Sequence, residues 1–469
     1  MSPIEVRNPR TGKLDYVIIP PPPKLLAQKC NRLRRGQLQW QSLGLEGRIE
    51  IIQAFQAALT EVRPQLIDAV VADTGRLALS TWEVDTLIAN IDRCCQLAYK
   101  LIRDRDLNTT ISYIHLWQTA TPYQLVGIIS PYTFPLLLAT IEAIPALIAG
   151  CAVVVKPSEL TPRFIAPLTN ALNNVPILRD VLTFVEGDGK TGAALLESID
   201  LVCFTGSLDV GRVVAEIAAA QFIPAYLELG GKNPAIVLES ADIDLATSAI
   251  LTGACFNAGQ SCDAISRIYV AETIFDEFYH QLVAKANQLQ FTNLDLETGH
   301  LGPIINYKQA QIITKQLEQA QSQGAMIHCG AELKKLDGGL WCPPTVITQV
   351  NPTMDILTTE TLAPIMPVIA IANPEAAINF ANDSVYGRVA SIFADTETTA
   401  MELAPKLEFG TILINDVLTT QHIFTGERQP WKFSGNGQTV YSTNIFSKFL
   451  RSQSIFRKTK SIPSPWWLG

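Results

Sequence analysis

The sequence predicts an α/β protein built around an open parallel β-sheet. Short apolar segments alternate with helical segments between residues 124 and 229, and this alternation is typical of βαβ units. The chain has 469 residues, which is too long for a single hydrophobic core and indicates two or three domains. Hydrophobic residues make up 48% of the chain and charged residues 17%, a composition that supplies buried sheets and excludes a disordered protein.

Charge and cysteine usage exclude several functional classes. The net charge of −8 contains no block of like charge, which argues against binding to nucleic acid. Nine cysteines occur without a CxxC pair or a histidine cluster at metal-ligand spacing, so we expect no metal site and a reducing compartment.

Neither the N-terminal segment nor the most apolar region of the sequence indicates a membrane protein. The first seven residues lack the apolar core of a signal peptide, which favours the cytoplasm. The most apolar region, residues 125–155, is interrupted by three prolines, so we expect buried sheet and helix there and no stable membrane insertion.

The N-terminal region is predicted to be helical. Apolar residues recur every third or fourth position from residue 46 to 103, as in Ile49, Ile52 and Phe55, which indicates amphipathic helices. Four consecutive prolines at 20–23 form a stiff spacer before the first helix. Residues 109–121 are instead rich in β-branched and aromatic residues, which favours an extended strand or a hairpin arm.

Five strands are expected in the parallel sheet. They comprise residues 125–129, 152–156, 182–185, 201–204 and 226–229. Ligands of such sheets lie beyond the carboxyl ends of the strands, so the residues that follow each strand are candidates for binding.

Two of these strand ends carry a nucleotide-like pattern. Lys156 ends the second strand, and a glycine turn from Gly206 to Gly211 opens a helix after the fourth. A helix N-terminus offers backbone N–H groups and a positive dipole end to a phosphate, while the lysine can donate to a ribose. Either pattern alone is more often ordinary strand-to-helix punctuation, but their placement on one sheet edge favours nucleotide binding.

Glu228 and Cys262 are the candidates for catalysis. Glu228 lies in an apolar strand that ends at a Gly-Gly turn; a buried glutamate without a partner would have a raised pKa, which suits a general base. The alternative is a glutamate that is paired with Lys232 or solvated. Cys262 follows a Gly259-Gln260 turn, and its alternative is an inert buried cysteine, as expected for the other eight.

The sequence resembles the aldehyde dehydrogenase superfamily over nearly its whole length. Four segments carry the resemblance in the family's order and approximate spacing: FTGS at 204–207 with Gly211, LELGGK at 227–232, GQSC at 259–262 and ETLAP at 360–364. Residues 149–159 resemble the family's cofactor-binding strand, and KFSG at 432–435 its C-terminal motif.

The resemblance implies an aldehyde dehydrogenase-like fold in three parts. We expect an open parallel-sheet cofactor domain from residues 1–100 and 123–229, an α/β catalytic domain from 230–430, and a small β arm from 101–122 with 440–460, including a strand near 446–454. An apolar β arm does not lie unpaired in water, so a homodimer or homotetramer is expected.

The resemblance also implies the chemistry. Cys262 would attack an aldehyde to form a thioester after hydride transfer to NAD(P), and Glu228 would activate the hydrolytic water. The residues implied to bind the cofactor are Lys156 and Glu159 at the adenosine ribose, Gly206, Ser207 and Gly211 at the pyrophosphate, Glu360 at the nicotinamide ribose, and Leu229. The acidic Glu159 favours NAD, with NADP as an alternative.

Departures from the family pattern concern the oxyanion and the cofactor. Thr133 stands where the family usually has an asparagine that stabilises the oxyanion, and loss of one such donor typically costs about 10²–10³ in rate. Leu362 replaces a common phenylalanine, Ala363 a common glycine, and residues 427–430 the usual Pro-Phe-Gly-Gly. We therefore expect an unusual rate or substrate range.

Two other functions stay open at this point. A related enzyme could pass the acyl group to coenzyme A, although such members generally lack the glutamate that Glu228 provides. A catalytically weak relative could serve as a binding or structural protein.

The expected substrate is a hydrophobic aldehyde of medium or long chain, aromatic or isoprenoid. The segments expected at the entrance, residues 136–138, Phe256 and 423–424, are apolar. A semialdehyde is less expected, and Arg428 or Arg267 would be the clamp that overturns this.

Overall fold

The first 229 residues form a layer of helices followed by alternating strands and helices. The computed structural model describes residues 2–293, 295–439 and 442–460. The elements of this first part are, in order: β1 (Ile4–Arg7), β2 (Leu14–Ile18), α1 (Pro23–Ser42), α2 (Gly44–Glu61), α3 (Arg63–Thr74), α4 (Ala78–Leu101), β3 (Arg105–Asn108), β4 (Ile114–Pro122), β5 (Leu125–Ile129), α5 (Pro135–Thr140), α6 (Ala143–Ala149), β6 (Ala152–Lys156), α7 (Ile165–Asn173), β7 (Leu182–Phe184), α8 (Gly189–Leu196), β8 (Leu201–Thr205), α9 (Leu208–Ala220) and β9 (Ala225–Glu228).

The second part carries a second sheet and returns to the first one near its end. Its elements are, in order: β10 (Asn233–Val237), α10 (Ile243–Cys255), β11 (Ile265–Ala271), α11 (Phe275–Ala286), α12 (Tyr307–Ser322), β12 (Met326–Cys329), β13 (Lys334–Leu336), β14 (Gly339–Trp341), β15 (Thr345–Thr348), α13 (Asp355–Thr358), β16 (Ile365–Ile371), α14 (Pro374–Asn382), β17 (Tyr386–Gly387), β18 (Val389–Phe393), α15 (Glu397–Leu403), β19 (Thr411–Ile414), β20 (Trp431–Lys432), β21 (Gly435–Asn436) and β22 (Leu450–Lys458).

The predicted parallel sheet is confirmed. Its strand order is β21-β9-β8-β5-β6-β7, and β5 to β9 run parallel while β21 pairs antiparallel with β9. All five residues of β6 are buried, as expected for a strand covered by helices on both faces. In the register, Ile129 lies beside Lys156 and Thr205 beside Glu228, so these strand ends share one edge.

The helical N-terminal layer is also confirmed. Helix α1 begins at Pro23, which occupies the first turn without losing a helical hydrogen bond. The buried faces of α1 to α4 belong to the same hydrophobic core as β5 to β9. The N-terminal helices therefore pack against the parallel sheet.

The second sheet has seven strands in the order β12-β15-β16-β11-β10-β18-β19. All neighbours pair in parallel except β12 and β15. Strand β10 begins five residues after Glu228, and β11 begins three residues after Cys262. The connection into this sheet therefore carries both candidate catalytic residues.

The β arm is a three-stranded antiparallel sheet of order β22-β4-β3. The extended segment predicted at 109–121 corresponds mainly to β4, but the C-terminal strand begins at Leu450 and not near 446. The difference has a physical cause, because Phe446 and Phe449 are buried in the core of the first sheet and anchor the chain before the arm begins.

Across the described residues, helices with the length and apolar character needed to cross a bilayer are not found.

Candidate active site

A cavity of about 600 Å³ lies at the carboxyl edge of the first sheet. Nine of the ten residues expected at the site line it: Thr133, Lys156, Glu159, Gly206, Ser207, Glu228, Leu229, Cys262 and Glu360. The elements that contribute them come from both sheets. A reacting group and a bound cofactor can therefore occupy the same cavity.

Lys156 and Glu159 form the pair at the second strand end. The Lys156 ammonium donates a hydrogen bond to the carbonyl oxygen of Pro157 at 2.9 Å and lies 3.5 Å from the Glu159 carboxylate. Burial lowers the pKa of Lys156, and the nearby Glu159 opposes this shift. A cation beside an anion can offer a donor and an acceptor to the two hydroxyl groups of a ribose.

The glycine turn presents the N-terminus of α9 to the cavity. Gly206 and Ser207 line the cavity, and Ser207 is the N-cap of α9. Gly211 is the tenth expected residue, and the structure places it one turn into the helix, outside the set that lines the cavity. A Cβ atom on Gly211 would lie 2.4 Å from Cδ2 of Leu229, so Gly211 permits the close packing of α9 against this cavity-lining side chain.

The turn before Cys262 is strained and tightly packed. Asn257 and Ala258 adopt positive φ angles of 54° and 52°, which residues other than glycine rarely adopt. A Cβ atom on Gly259, where φ is 71°, would lie 2.1 Å from the carbonyl carbon of Ala363. The Asn233 amide donates to the Cys262 carbonyl oxygen at 2.7 Å, so the backbone around Cys262 is held from both sides.

The Cys262 thiol lies in a buried, charged environment. Burial raises the pKa of this thiol, and the guanidinium of Arg388 opposes the shift. The carboxylates of Asp263, Glu228 and Glu360 raise the pKa further. Without substrate or cofactor, Cys262 is therefore a neutral thiol that needs a base.

The expectation that Glu228 lacks a charged partner is wrong. Arg388 donates from Nη2 to Oε2 of Glu228 at 2.9 Å, and both side chains are buried. The alternative partner, Lys232, donates instead to the hydroxyl of Thr361 at 3.0 Å. Arg388 was missed in the sequence, although an arginine that adjoins the apolar segment 389–393 was a signal for a buried partner.

Asp263, the residue after Cys262, completes an ion-pair network with Arg388 and Glu228. Arg388 donates from Nε to Oδ1 of Asp263 at 2.5 Å. The other oxygen, Oδ2, accepts hydrogen bonds from Gln421 at 2.7 Å and from Thr420 at 3.2 Å. One arginine therefore bridges the residue next to Cys262 and the candidate base.

Thr133 is held through its backbone. Its carbonyl oxygen accepts hydrogen bonds from Nη2 of Arg76 at 2.8 Å and from Nδ2 of Asn257 at 2.9 Å. Arg76 is buried 3.9 Å from Glu83, and burial raises the pKa of Glu83 to about 7. Thr133 therefore has a fixed position on the cavity wall, beside the Cys262 turn.

Glu360 is a half-buried residue whose carboxyl group lines the cavity. The backbone N–H of Gly231 donates to its Oε1 at 3.3 Å. Burial raises the pKa of Glu360 to about 7, while this hydrogen bond, Lys232 and Arg388 oppose the shift. A Cβ atom on Gly230 would lie 2.7 Å from the same Oε1, so the glycine leaves room for the carboxyl group.

Aromatic residues lie beside Thr133 and the Cys262 turn. The ring centroid of Trp82 lies 5.9 Å from that of Phe134 and 6.1 Å from that of Phe256, and Phe134 stacks on Phe256 at 5.5 Å. Trp82 and Phe424 also pack on the small apolar cluster around Leu137. The segments expected at the entrance therefore lie together and are apolar.

The two arginines that could have contradicted an apolar entrance have other contacts. Arg267 is buried and donates to the backbone carbonyl oxygens of Lys232 and Ala381. Arg428 donates to the carbonyl oxygen of Ile423. Neither side chain lines the cavity.

Among the described residues, no group of three or more His, Cys, Asp or Glu side chains is placed to hold a metal ion.

Comparisons with known proteins give one consistent result. The aldehyde dehydrogenase family model matches residues 2–455. A 3,6-anhydro-α-L-galactose dehydrogenase of Vibrio sp. is 31% identical, with 91% of this chain and 92% of that protein covered. A putative NADP⁺ succinate-semialdehyde dehydrogenase of Mycolicibacterium smegmatis is also 31% identical, over 82% of this chain and 75% of that protein.

Solved structures agree with these relatives. The putative aldehyde dehydrogenase PutA of Anabaena variabilis has a TM-score of 0.98 at 55% identity, covering 99% of this chain and 100% of that chain. Betaine aldehyde dehydrogenase of Staphylococcus aureus, solved in complex with NAD⁺, has a TM-score of 0.93 at 28% identity, covering 99% of this chain and 93% of that chain. This protein belongs to the aldehyde dehydrogenase family.

Proposed function

We propose that this enzyme oxidises an aldehyde to the carboxylic acid, with Cys262 as nucleophile and NAD(P) as oxidant. The observation that carries the proposal is the meeting of Cys262, Glu228, Thr133 and Glu360 in one cavity. Each has a side chain suited to one task in such a reaction: attack, proton transfer, oxyanion stabilisation and cofactor binding.

In the first step, Sγ of Cys262 forms a bond to the aldehyde carbon and the carbonyl π electrons move to oxygen. Because burial raises the pKa of the thiol, a base must take its proton, and Glu228 lines the same cavity. The Thr133 hydroxyl can donate one hydrogen bond to the developing oxyanion, together with a backbone N–H.

In the second half of the reaction, Glu228 takes a proton from water, whose oxygen attacks the thioester carbon. The C–S bond then breaks, the acid leaves and Cys262 recovers its proton. The bound cofactor supplies the hydride acceptor that links the two halves.

The cavity residues fit a dinucleotide. Gly206 and Ser207 at the N-terminus of α9 suit a pyrophosphate, Lys156 and Glu159 suit the adenosine ribose, and Glu360 suits the nicotinamide ribose. Glu159 would repel a phosphate on the adenosine ribose, so we propose NAD as the preferred cofactor. NADP is the alternative, and the name of the M. smegmatis relative favours it.

We further propose a hydrophobic substrate of medium or long chain, aromatic or isoprenoid. The cluster of Trp82, Phe134 and Phe256 beside Thr133 supports this, since apolar surface favours apolar ligands. A semialdehyde is the second candidate, and the names of two relatives, putative succinate-semialdehyde dehydrogenases of Mycolicibacterium smegmatis and Mycobacterium ulcerans, favour it.

Steady-state NADH formation with a matched panel of aldehydes tests both proposals. Hexanal and succinate semialdehyde should give kcat/KM values that differ by at least tenfold in favour of hexanal. A preference for the semialdehyde would overturn the substrate proposal, and no NAD or NADP reduction by any aldehyde, despite cofactor binding, would overturn the enzymatic one.

Coenzyme A separates the remaining alternatives. Glu228 favours water as the acyl acceptor, so addition of coenzyme A should leave the rate and the acid product unchanged. An acyl-coenzyme A product would identify the acylating type, and cofactor binding without turnover would identify a binding or structural protein.

We also propose a three-part division and a self-associated enzyme. The cofactor part would comprise 1–100 and 123–229, the catalytic part 230–430, and the arm 101–122 with 440–460. Exposed Ile455 and Phe456 on the arm support a homodimer or homotetramer. All nine cysteines are free, which supports a reducing compartment such as the cytoplasm.

A further inference from the structure

Arg388 is the cationic centre of the active site. Its side chain, 8% exposed, lies between two buried carboxylates, Glu228 and Asp263. It directly precedes β18 of the second sheet, whereas Glu228 ends β9 of the first. The contact between Arg388 and Glu228 therefore joins the two sheets at the point where the chemistry is proposed to occur.

The geometry of the guanidinium fixes the direction of both contacts. Its nitrogens are coplanar and cannot rotate independently, so the bond from Nε to Asp263 sets where Nη2 points. Asp263 itself is held on its other oxygen by Gln421 and Thr420. Arg388 thus presents a donor to Glu228 from a rigid base.

Asp263 also ties this network to the nucleophile, because it is the residue directly after Cys262. A continuous set of covalent and hydrogen bonds runs from the backbone of Cys262 through Asp263 and Arg388 to the Glu228 carboxylate. If the Glu228 carboxylate moved away from Cys262, its hydrogen bond with Arg388 would be lost. Small displacements of reacting groups reduce rates strongly.

We propose that Arg388 is a positioning residue, which orients Glu228 for hydrolysis of the acyl group on Cys262. The proposal rests on the proposed function, since it assigns a role within the same site. Arg388 acts through Glu228, and its loss should slow hydrolysis more than thioester formation, because hydrolysis needs Glu228 both to orient the water and to take its proton.

The test measures NADH formation by rapid mixing of holoenzyme with a saturating aldehyde. Removal of Arg388 alone would take away the cation that contacts two buried carboxylates and destabilise the fold, so the main variant is the charge-matched pair Arg388→Met with Asp263→Asn. It should release about one NADH per chain in a fast burst and then turn over about 10- to 100-fold more slowly than the wild type.

Two further variants separate the roles within the network. Asp263→Asn alone keeps an oxygen acceptor for Nε of Arg388 and retains the contact of Arg388 with Glu228, so it should turn over faster than the double variant. Arg388→Lys keeps the charge and loses the fork, so its steady-state rate should lie between those of the wild type and the double variant.

Arg48→Met is the matched control for loss of a buried arginine. Arg48 donates to the backbone carbonyl oxygens of Ile148 and Gln41, away from the cavity, and its removal should leave the ratio of burst rate to steady-state rate unchanged. A purely structural role for Arg388 would make the double variant behave like this control.

A crystal structure of the double variant gives a readout independent of turnover. The Glu228 carboxylate should move by more than about 1 Å from the position it has beside Arg388. An unmoved carboxylate would overturn the inference, as would proportional loss of the burst and the steady-state rate, or wild-type turnover. If the wild type itself reduced no NAD(P), the proposed function would fail, while the position of Glu228 would still decide the role of Arg388.

Discussion

Two carboxyl groups that line the cavity, those of Glu228 and Glu360, have different surroundings. Glu228 has the guanidinium of Arg388 as a partner at 2.9 Å. Glu360 has a backbone N–H at 3.3 Å, and burial raises its pKa to about 7. Glu228 is thus paired with a charged guanidinium, whereas Glu360 has a backbone donor and a pKa near neutral pH.

This difference predicts a pH dependence of cofactor affinity. An ionised Glu360 accepts hydrogen bonds from ribose hydroxyl groups better than the protonated acid does. As pH falls through about 7, protonation should weaken NAD binding by up to about tenfold per pH unit. Titration calorimetry from pH 6 to 8 checks this.

Glu360→Gln is the control for that titration. Its affinity for NAD should be lower at pH 8 and nearly independent of pH over the same range. An equal pH slope in the variant would assign the titration to another group.

The Thr133 side chain is the proposed oxyanion donor. Its backbone is fixed by Arg76 and Asn257, so substitutions change the side chain more than the position. Thr133→Asn should raise kcat if the hydroxyl is a poor oxyanion donor, because an amide reaches further. Thr133→Val, which is similar in shape but lacks the donor, should lower kcat by about 10²-fold.

Steady-state kinetics with one aldehyde compares the three proteins. Unchanged or lower turnover in Thr133→Asn would mean that the cavity has adapted to threonine. Wild-type turnover in Thr133→Val would remove Thr133 from the mechanism.

Helix α9 is placed by a glycine contact that a larger residue would disturb. In Gly211→Ala the new methyl group would lie 2.4 Å from Leu229 and push this side chain into the cavity. NAD affinity should therefore fall by about tenfold or more, as measured by fluorescence titration.

Gly47→Ala in α2 is the control for a methyl group added to a helix outside the cavity lining, since its nearest atom would be Cβ of the exposed Leu43, at 3.2 Å. It should bind NAD with nearly wild-type affinity. Equal losses in both variants would contradict the role given to Gly211.

The β arm is the proposed site of self-association. Phe456 on β22 is 66% exposed, and burial of such a side chain in a partner would stabilise association. Phe456→Glu should therefore shift sedimentation velocity towards the monomer. A monomeric wild type, or an unchanged variant, would contradict the proposed arm interface.

Elements with a clear hydrophobic period were predictable from the sequence. The buried strands β5 to β9 and the helices of the N-terminal layer lie where their patterns place them, within a few residues. The arm strand was displaced, because the aromatic Phe446 and Phe449 look like strand residues but pack into a distant core. Such a choice depends on tertiary contacts that local patterns do not contain.

At the scale of the whole molecule, the cavity draws residues from both sheets. Glycine turns in the sequence mark Cys262 and Glu228 as candidates, and the structure places both on the same cavity. The contacts of Arg388, Asp263 and Arg76 could not be predicted, since each side chain pairs with or donates to a residue distant in sequence. Arg388, for example, is 160 positions from Glu228.

Capture of the acyl group on Cys262 tests the central claim most directly. Glu228→Gln, mixed with NAD and an aldehyde and quenched in acid, should release one NADH per chain. Peptide mass spectrometry should then find the peptide with Cys262 heavier by the mass of the aldehyde less two hydrogen atoms, with no such change in Cys262→Ser. NADH release without this modification, or an acyl group on another residue, would contradict the account.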